Sequence, residues 1–185
     1  VPGLSKAYAD GKVALVNAWG TGVADDKLVY HYIPQVIREY LGEDPIIPQP
    51  KTYAPIEPGD LLEIRKKIHE LVVKTREGYG GFGTIVLPDY KGEVQDKIAR
   101  DVLNMITLEP DHYIAQELVK FSTTLLHSDS APLLLRDAPI DFRVYVYYTA
   151  EGPQVPPGGL SRYARHGMIT NNSSGGGIKE TWVIV

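Results

Sequence analysis

The sequence predicts an α+β fold in which helices flank mostly antiparallel sheets. Three stretches, residues 27–41, 60–70 and 93–105, repeat apolar residues at the spacing of an amphipathic helix. Short β-branched runs lie between them and end at glycine or proline, which is typical of strands. Two of these runs, residues 71–73 and 84–87, flank a loop with four glycines, so we expect them to pair as a hairpin.

Composition restricts the class of protein. A chain of 185 residues is long enough for one domain with a full core or for two small lobes. The net charge of −4 argues against a nucleic-acid binder, which would present a basic face. The chain has no cysteine, which excludes disulfides and fits a reducing, cytoplasmic location, and no apolar run approaches membrane-spanning length. It shows no signal peptide and begins at Val1, so we expect it to be part of a longer protein.

The first predicted helix follows an apolar run at residues 13–17, which is typical of a buried strand. Asp25 or Asp26 can cap this helix, and Gly42 can end it. Pro34 lies in its interior, so we expect a kink or two short helices. A capped, solvent-exposed helix start explains the acidic segment as well as a functional site does.

The next two helices have different signals. Prolines disfavour helix over residues 45–58, and Asp60 can cap the helix that follows. In the third helix, the spacing predicts four inward side chains: Val94, Ile98, Val102 and Met105. Further strands are expected at residues 113–119, 161–164 and 182–185.

The hairpin over residues 71–87 carries the strongest functional signal. Glycines let a loop turn tightly and let its amides approach a ligand, because no Cβ is in the way. This loop contains Gly78, Gly80, Gly81 and Gly83. Lys74 precedes it on the first strand, and a cation beside free amides suits a polyphosphate.

The glycine spacing by itself fits several classes of loop. A dinucleotide-binding fold needs a helix directly after the loop, whereas residues 84–87 read as a strand. In protein kinases the phosphate-binding lysine lies one strand after the loop, whereas Lys74 precedes it. A flexible flap over a triphosphate remains, together with the alternative of a glycine-rich hairpin that binds nothing.

Two segments of the second half are further candidates. Residues 140–148 alternate in polarity, which places Asp141 and Arg143 on one face of a strand. Because an unpaired buried arginine is costly, Arg143 either pairs with Asp141 or faces an anion in a cleft. Residues 170–182 form a second glycine-rich loop that carries Lys179, and it is either an anion-facing edge or a plain mobile loop.

Taken together, these segments resemble the circularly permuted ATP-grasp proteins, a bacterial and archaeal family often labelled glutathionylspermidine-synthase-like. The resemblance covers essentially the whole chain, and the strand at residues 141–146 also resembles the matching strand of tubulin–tyrosine ligases. The stretches that carry it occur in the family's order: residues 1–4, 17–27, 40–43, 71–83, 113–117, 141–146, 157–162 and 172–182.

The resemblance implies part of an ATP-grasp fold, with ATP and Mg²⁺ bound between two α+β lobes. It divides the chain into a central α/β region (residues 1–70), a first lobe with the flap and a hinge strand (71–119), and a second lobe (120–185). It also implies that Lys74 contacts the α and β phosphates while the loop closes over them. The cofactor-binding residues of this first lobe are Lys74, Glu77, Gly78, Gly80, Gly81 and Gly83, with Gln116, Glu117 and Val119 as the hinge that reads adenine.

The remaining roles also come from the resemblance. Asn172, Ser173 and Lys179 would flank the phosphates from the second glycine-rich loop. Arg143 would stabilise the acyl-phosphate transition state, since a fixed cation acts where charge develops. Lys27 is the second catalytic candidate, because an Asp-Lys pair opens this lobe in ordinary ATP-grasp enzymes.

The sequence departs from the family in length and in its acidic residues. Family members carry an additional N-terminal half with a Glu-x-Asn segment that resembles the magnesium ligands of ATP-grasp enzymes. Without it, Asp141 is the one predicted metal ligand, and it cannot hold two Mg²⁺ ions alone. The loop at residues 172–177 also lacks a residue that the family usually has before the glycines.

We therefore expect the ATP-binding part of an ATP-dependent carboxylate–amine (or thiol) ligase that acts through an acyl phosphate. Its carboxylate and amine substrates are unknown, with peptides among the candidates, and it would need the missing N-terminal half to turn over. The alternative is a non-catalytic nucleotide-binding or assembly module that another segment or partner completes. Neither nucleic acid nor membrane is expected as a partner.

Overall fold

The computed structural model describes residues 1–15, 19–127 and 135–181 of the chain. Within these ranges the helices are α1 (Leu4–Ala9), α2 (Lys27–Leu41), α3 (Pro58–Lys67) and α4 (Gly92–Leu108). The strands of the first half are β1 (Thr52–Tyr53), β2 (Leu71–Thr75), β3 (Thr84–Val86) and β4 (Tyr113–Glu117). Those of the second half are β5 (Ser122–His127), β6 (Leu135–Arg143), β7 (Tyr147–Thr149), β8 (Gly152–Gln154), β9 (Leu160–Tyr163) and β10 (Gly177–Lys179).

The first sheet has the order β1-β4-β2-β3, and all of its pairs are antiparallel. Strand residues alternate between its two faces. Leu71, Val73 and Ala115 face the core, where they pack with Ile64 of α3 and Ile106 of α4. The opposite face carries the neighbouring residues of the same strands, among them Lys74 and Gln116, and is therefore available for a binding site.

The second sheet has the order β10-β9-β6-β5, again antiparallel, and β7 and β8 form a separate two-stranded ribbon. Its centre is the pair of β6 and β9, in which Asp141 lies opposite Arg162. Helices beside two antiparallel sheets confirm the predicted α+β class. None of the helices in the described ranges is long and apolar enough to cross a membrane.

Helix α2 is a single helix that contains Pro34, so of the two predicted outcomes the division into two short helices is wrong. It runs without interruption from Lys27 to Leu41, although the proline supplies no N–H for the helical bond to its preceding turn. Asp26 is the capping residue, because its side chain accepts a hydrogen bond of 2.9 Å from the N–H of Leu28. Gly42 ends the helix in the left-handed region, as predicted.

The predictions for α3 and α4 each contain one error. Helix α3 begins at Pro58, which the first position of a helix tolerates, while the Asp60 carboxylate accepts from the N–H of Ala54 instead of capping the helix. In α4 the buried residues are Ala99, Val102 and Ile106, whereas two predicted core residues, Val94 and Met105, are 59% and 41% exposed. The small Ala99 marks the inward face, and counting only large apolar residues missed it.

The strand predictions were wrong at their ends. β6 was predicted at residues 140–148 but occupies Leu135–Arg143 and includes Pro139. Pro139 lies just beyond the β6–β9 pairing, where its carbonyl accepts a hydrogen bond from the N–H of Ala164, which follows the end of β9. The N–H that proline lacks is therefore not needed for the β6–β9 pairing, and the strand tolerates Pro139. Residues 13–15 are not in a strand, while residues 16–17 and the strand predicted at 182–185 lie outside the described residues.

Candidate functional site

The two sheets border a cavity of about 330 Å³. One wall is the polar face of the first sheet with the glycine flap, defined here as residues 78–83. The other wall comes from β6, β9 and the segment after β9. Residues 117–119, at the end of β4 and directly after it, also line the cavity. A concave site of this volume lies within the range of small-molecule pockets.

Lys74 is the cation on the first-sheet wall. Its Nζ donates a hydrogen bond of 2.5 Å to Oε1 of Gln116, and the Gln116 amide donates in turn to Oγ1 of Thr52 at 2.8 Å. Burial lowers the pKa of Lys74, and the positive charge of nearby Lys27 lowers it further. Within the described residues Lys74 forms no ion pair, so a partly buried cation faces the cavity without a counter-ion.

The flap has a backbone that favours glycine. Gly78, Gly80, Gly81 and Gly83 have φ angles of 133°, 63°, 89° and 70°, in the left-handed region that other residues rarely adopt. The flap contacts the second glycine-rich loop, since Ser173 Oγ donates to the carbonyl of Gly80 at 3.3 Å and Ser174 Oγ donates to the same carbonyl. The two loops that the sequence singled out therefore meet across the cavity.

The start of the flap is held by the N-terminus of α2. Nζ of Lys27 donates to the carbonyls of Arg76 and Gly78 at 3.1 and 2.9 Å. The Arg76 guanidinium donates to the carboxylate of Asp26 and, at 2.8 Å, to the carbonyl of Asp111. The hydrogen bond from Arg76 is the main reason that the pKa of Asp26 is below its usual value.

A second cation, Arg162, lines the opposite wall. Two nitrogens of its guanidinium donate hydrogen bonds to the Asp141 carboxylate, with Nε 2.9 Å from Oδ1. The third nitrogen, Nη1, donates to Asn171 Oδ1 at 2.6 Å. Thr170 Oγ1 donates to Asp141 Oδ2 at 2.7 Å. Burial opposes ionisation of Asp141, but the hydrogen bonds from Arg162 and Thr170 outweigh it, so its pKa lies below the usual value.

Comparison with known proteins identifies the family of this chain. The family model described as "Circularly permuted ATP-grasp type 2" matches residues 1–164. The chain belongs to this ATP-grasp family. The resemblance seen in the sequence is thereby confirmed.

Relatives of this ATP-grasp chain are much longer proteins. An uncharacterized protein of Synechocystis sp. is 36% identical over 190 residues, which cover 100% of this chain and 37% of the relative. A Frankia casuarinae protein named "Putative glutamate--cysteine ligase 2-2" is 38% identical over 97% of this chain and 20% of its own length. An uncharacterized Mycobacterium leprae protein is 35% identical over 100% of this chain and 32% of its own length. The chain thus spans about a fifth to two fifths of these relatives.

The structure brings many of the predicted site residues to one cavity. Those that line it are Lys27, Lys74, Gly78, Gly80, Gly81, Gln116, Glu117, Val119 and Asp141. The side chain of Glu117 turns to the back of the sheet, where it accepts from Tyr53 Oη at 2.8 Å and from Lys67 Nζ at 3.2 Å. Glu117 therefore lines the cavity with its backbone and not with its carboxylate.

Five of the predicted cofactor-binding residues are not among those that line the cavity: Glu77, Gly83, Asn172, Ser173 and Lys179. Ser173 still touches the flap, and Asn172 begins the short 3₁₀ turn that carries it. Lys179 lies on β10 and donates to Thr124 Oγ1 at 2.6 Å. Arg143 is exposed at the end of β6 and is also outside the lining, so Arg162 on the paired strand is the arginine that faces the cavity.

Asp141, the metal ligand predicted from the sequence, does not belong to a larger group of metal ligands among the described residues. These residues contain no group of three or more His, Asp or Glu side chains that could hold a metal ion. The carboxylate of Asp141 already accepts hydrogen bonds from Arg162 and Thr170, so a cation at these oxygens would compete with the guanidinium. The triphosphate fits better, because Lys74, Arg162 and the flap amides are donors and cations.

Sequence reasoning missed Arg162 and Thr170. Both lie in segments that had been quoted for the family resemblance or as the second loop, but neither was given a role. A signal was present, since an acidic residue on one predicted strand and a basic residue on the next are 21 positions apart. Only the strand register places Asp141 opposite Arg162.

Proposed function

We propose that the chain is the nucleotide-binding part of an ATP-dependent carboxylate–amine (or thiol) ligase that acts through an acyl phosphate. The observation that carries this proposal is the convergence of two cations and the flap on one cavity. Lys74 comes from the first sheet, Arg162 from the second, and the flap covers the space between them. A triphosphate is the ligand that this combination of charges and amides favours.

The adenine end of the nucleotide would lie at residues 117–119. The strand β4 ends there, and Leu118 and Val119 line the cavity. Apolar side chains form the walls on which a flat base can pack: Val72, Val86, Phe121, Met168 and Ile169. The phosphates would then extend toward Lys74 and the flap.

The chemistry would rest on position and charge. A carboxylate oxygen forms a bond to the γ-phosphorus, the bond from that phosphorus to the β–γ bridging oxygen breaks, and ADP leaves with the electron pair. An amine then displaces phosphate from the acyl phosphate. Lys74 and Arg162 would stabilise the negative charge on the transferred group, which is the main task in phosphoryl transfer. The names of two Frankia relatives, as glutamate–cysteine ligases, support this reaction class.

The remainder of the longer protein would complete the enzyme. Its relatives are about three to five times as long as the matched segment, and the described residues contain no group of three or more potential metal ligands. We propose that the Mg²⁺ ligands and the acceptor site belong to that remainder, and that this chain alone binds nucleotide without turnover. The three regions predicted from the sequence, 1–70, 71–119 and 120–185, are kept as part of this proposal.

A non-catalytic nucleotide-binding or assembly module is the second candidate. The ion pair of Asp141 with Arg162 favours it, because the one carboxylate predicted to bind metal already has a partner. Turnover separates the two: a full-length relative that releases ADP only when a carboxylate and an amine are present would contradict the second candidate.

Calorimetry with a non-hydrolysable ATP analogue tests nucleotide binding by this chain. We expect Lys74→Ala to weaken affinity by about tenfold or more, since it removes a charged hydrogen bond to phosphate. Lys97→Ala is the matched control, because Lys97 is exposed on α4 and does not line the cavity. Equal affinity of wild type and Lys74→Ala would overturn the proposed phosphate site.

A further inference from the structure

A chain of hydrogen bonds crosses the first sheet from β1 to Lys74. Thr52 of β1 lies opposite Gln116 of β4, and opposite residues of an antiparallel pair point to the same face. Lys74 of β2 pairs with Ile114, two positions from Gln116. Such diagonal neighbours are within reach of a long side chain. The strand register therefore places the side chains of Thr52, Gln116 and Lys74 next to one another on the polar face.

The hydroxyl of Thr52 decides which way the Gln116 amide points. This hydroxyl has one hydrogen, which it donates to the carbonyl of Pro50 at 3.1 Å. Toward Gln116 it can therefore only accept, and Nε2 of Gln116 donates to it at 2.8 Å. Because the NH₂ group must face Thr52, the amide oxygen faces Lys74, whose Nζ donates to it at 2.5 Å.

Thr52 is itself fixed in place and shielded from water. Thr52 is 9% exposed and Gln116 is 7% exposed, so solvent does not readily replace either hydrogen-bonding partner. The carbonyl of Thr52 accepts from Nδ1 of His31 at 2.8 Å, which ties β1 to α2. Thr52 is not among the residues that line the cavity between the sheets, so it would act on a ligand only through Gln116.

Loss of the Thr52 hydroxyl would release the Gln116 amide. The amide could then flip and present its NH₂ group to the Lys74 ammonium, which is a donor facing a donor. Burial already lowers the pKa of Lys74. A hydrogen bond to the charged form of a group favours that form, so loss of the amide oxygen would lower the pKa of Lys74 further. The ammonium would also be free to turn away from its present position.

We propose that Thr52 is a positioning residue for nucleotide binding, which orients the Gln116 amide so that the Lys74 ammonium stays charged and directed into the cavity. This role rests on the proposed function, because it assumes that phosphate is the ligand of Lys74. The hydroxyl of residue 52, and not its volume, is then what the phosphate site requires.

Two substitutions separate the hydroxyl from the shape of the side chain. Thr52→Val keeps the branched shape and removes the hydroxyl, whereas Thr52→Ser keeps the hydroxyl and is the matched control. Calorimetry should show that Thr52→Val binds a non-hydrolysable ATP analogue about fivefold or more weakly than wild type, while Thr52→Ser retains wild-type affinity. A role in stability alone would lower the melting temperature of Thr52→Val without a specific effect at Lys74.

The pKa of Lys74 supplies that specific readout. It is measured by NMR from the shift of the Lys74 ε-carbon, whose signal is identified by its absence from Lys74→Arg. We expect a lower pKa of Lys74 in Thr52→Val than in Thr52→Ser. The other charged residues that line the cavities bordered by Lys74 are unchanged in both variants, as are two tyrosines: Asp25, Asp26, Lys27, Glu117, Asp141 and Arg162.

Equal affinities of the valine and serine variants, or equal pKa values of Lys74 in them, would overturn the role of Thr52. If Thr52→Val does not fold, nuclear Overhauser effects in wild type decide. The Gln116 NH₂ protons should be close to the Thr52 methyl group, and contacts to the Lys74 ε-methylene alone would contradict the inferred orientation.

The same measurements distinguish this role from the proposed function. If the analogue does not bind to wild type while the two pKa values differ, the proposed function is wrong and Thr52 still orients the amide. If the analogue binds while the two pKa values are equal, the proposed function is retained and the role of Thr52 is wrong.

Discussion

Arg162 on β9 lies directly opposite Asp141 on β6 and holds its carboxylate through two nitrogens. Both side chains are largely shielded, with 14% and 23% of the side chain exposed, respectively. The pair fixes the guanidinium at the wall of the nucleotide cavity. An arginine fixed in this way can bind a phosphate without first losing side-chain freedom.

Asp141→Asn should destabilise the protein and weaken binding of an ATP analogue. The substitution leaves the Arg162 guanidinium partly buried without its counter-charge, which we expect to cost about 2 kcal/mol of unfolding free energy. Urea denaturation and calorimetry measure the two effects. Asp137→Asn serves as control, because Asp137 lies on the same strand and is exposed. If Asp141→Asn matches that control in both measurements, the ion pair does not position Arg162.

Stability should decrease in acid because of Asp26. The hydrogen bond from Arg76 holds the pKa of Asp26 in the folded protein below its unfolded value. A carboxyl with a lowered folded pKa stabilises the protein above the unfolded pKa, and this contribution is lost as pH falls through the folded pKa. We therefore expect the unfolding free energy to fall below about pH 4.

The test compares urea unfolding of wild type and Asp26→Asn from pH 7 to pH 3. Asn cannot ionise, so its variant should be less stable at pH 7 and should lose less stability toward pH 3. Asp141 has a lowered pKa as well, so part of the acid dependence remains in the variant. Parallel stability curves for the two proteins would show that the Asp26–Arg76 pair does not contribute.

The serine contacts to the flap should control its opening. Ser173 and Ser174 both donate to the carbonyl of Gly80, and a neutral hydrogen bond contributes about 1 kcal/mol. The N–H of Phe82 donates to the Tyr79 carbonyl within the flap. In the double variant Ser173→Ala/Ser174→Ala, the hydrogen-exchange rate of this N–H should therefore rise about tenfold or more.

Hydrogen exchange without nucleotide measures this effect. Ser122→Ala is the control, because Ser122 is exposed on β5 and does not line the cavity. An exchange rate for Phe82 equal to that of the control would mean that the flap is not held by these hydroxyls. A faster rate for amides throughout the chain would indicate loss of stability instead.

The hairpin with Lys74 could be predicted from the sequence because its signals are local. Four glycines in six residues and a lysine on the preceding strand are visible without knowledge of distant contacts. Asp26 as a cap and Gly42 as a stop are local in the same sense. The sequence could not show whether Arg143 faces the cavity. Alternation of polarity places Arg143 on one face of a strand, but it does not show whether the cavity extends to the end of that strand.

Roles that depend on contacts between distant segments of the chain could not be predicted. Arg162 faces the cavity because β9 pairs with β6 in one register, and a shift by one residue would turn it to the other face. Lys27 was expected at the reaction centre, but its ammonium also holds the carbonyls of Arg76 and Gly78, which are about fifty residues further along the chain. Contacts over such separations follow from the fold and have no local pattern.

The structure of the protein with a non-hydrolysable ATP analogue tests the central claim most directly. We predict that the phosphates lie beneath the flap, with oxygens about 3 Å from Lys74 Nζ and from the Arg162 guanidinium. The base should contact residues 117–119. An analogue bound elsewhere, or one whose phosphates point away from Lys74 and Arg162, would contradict this account.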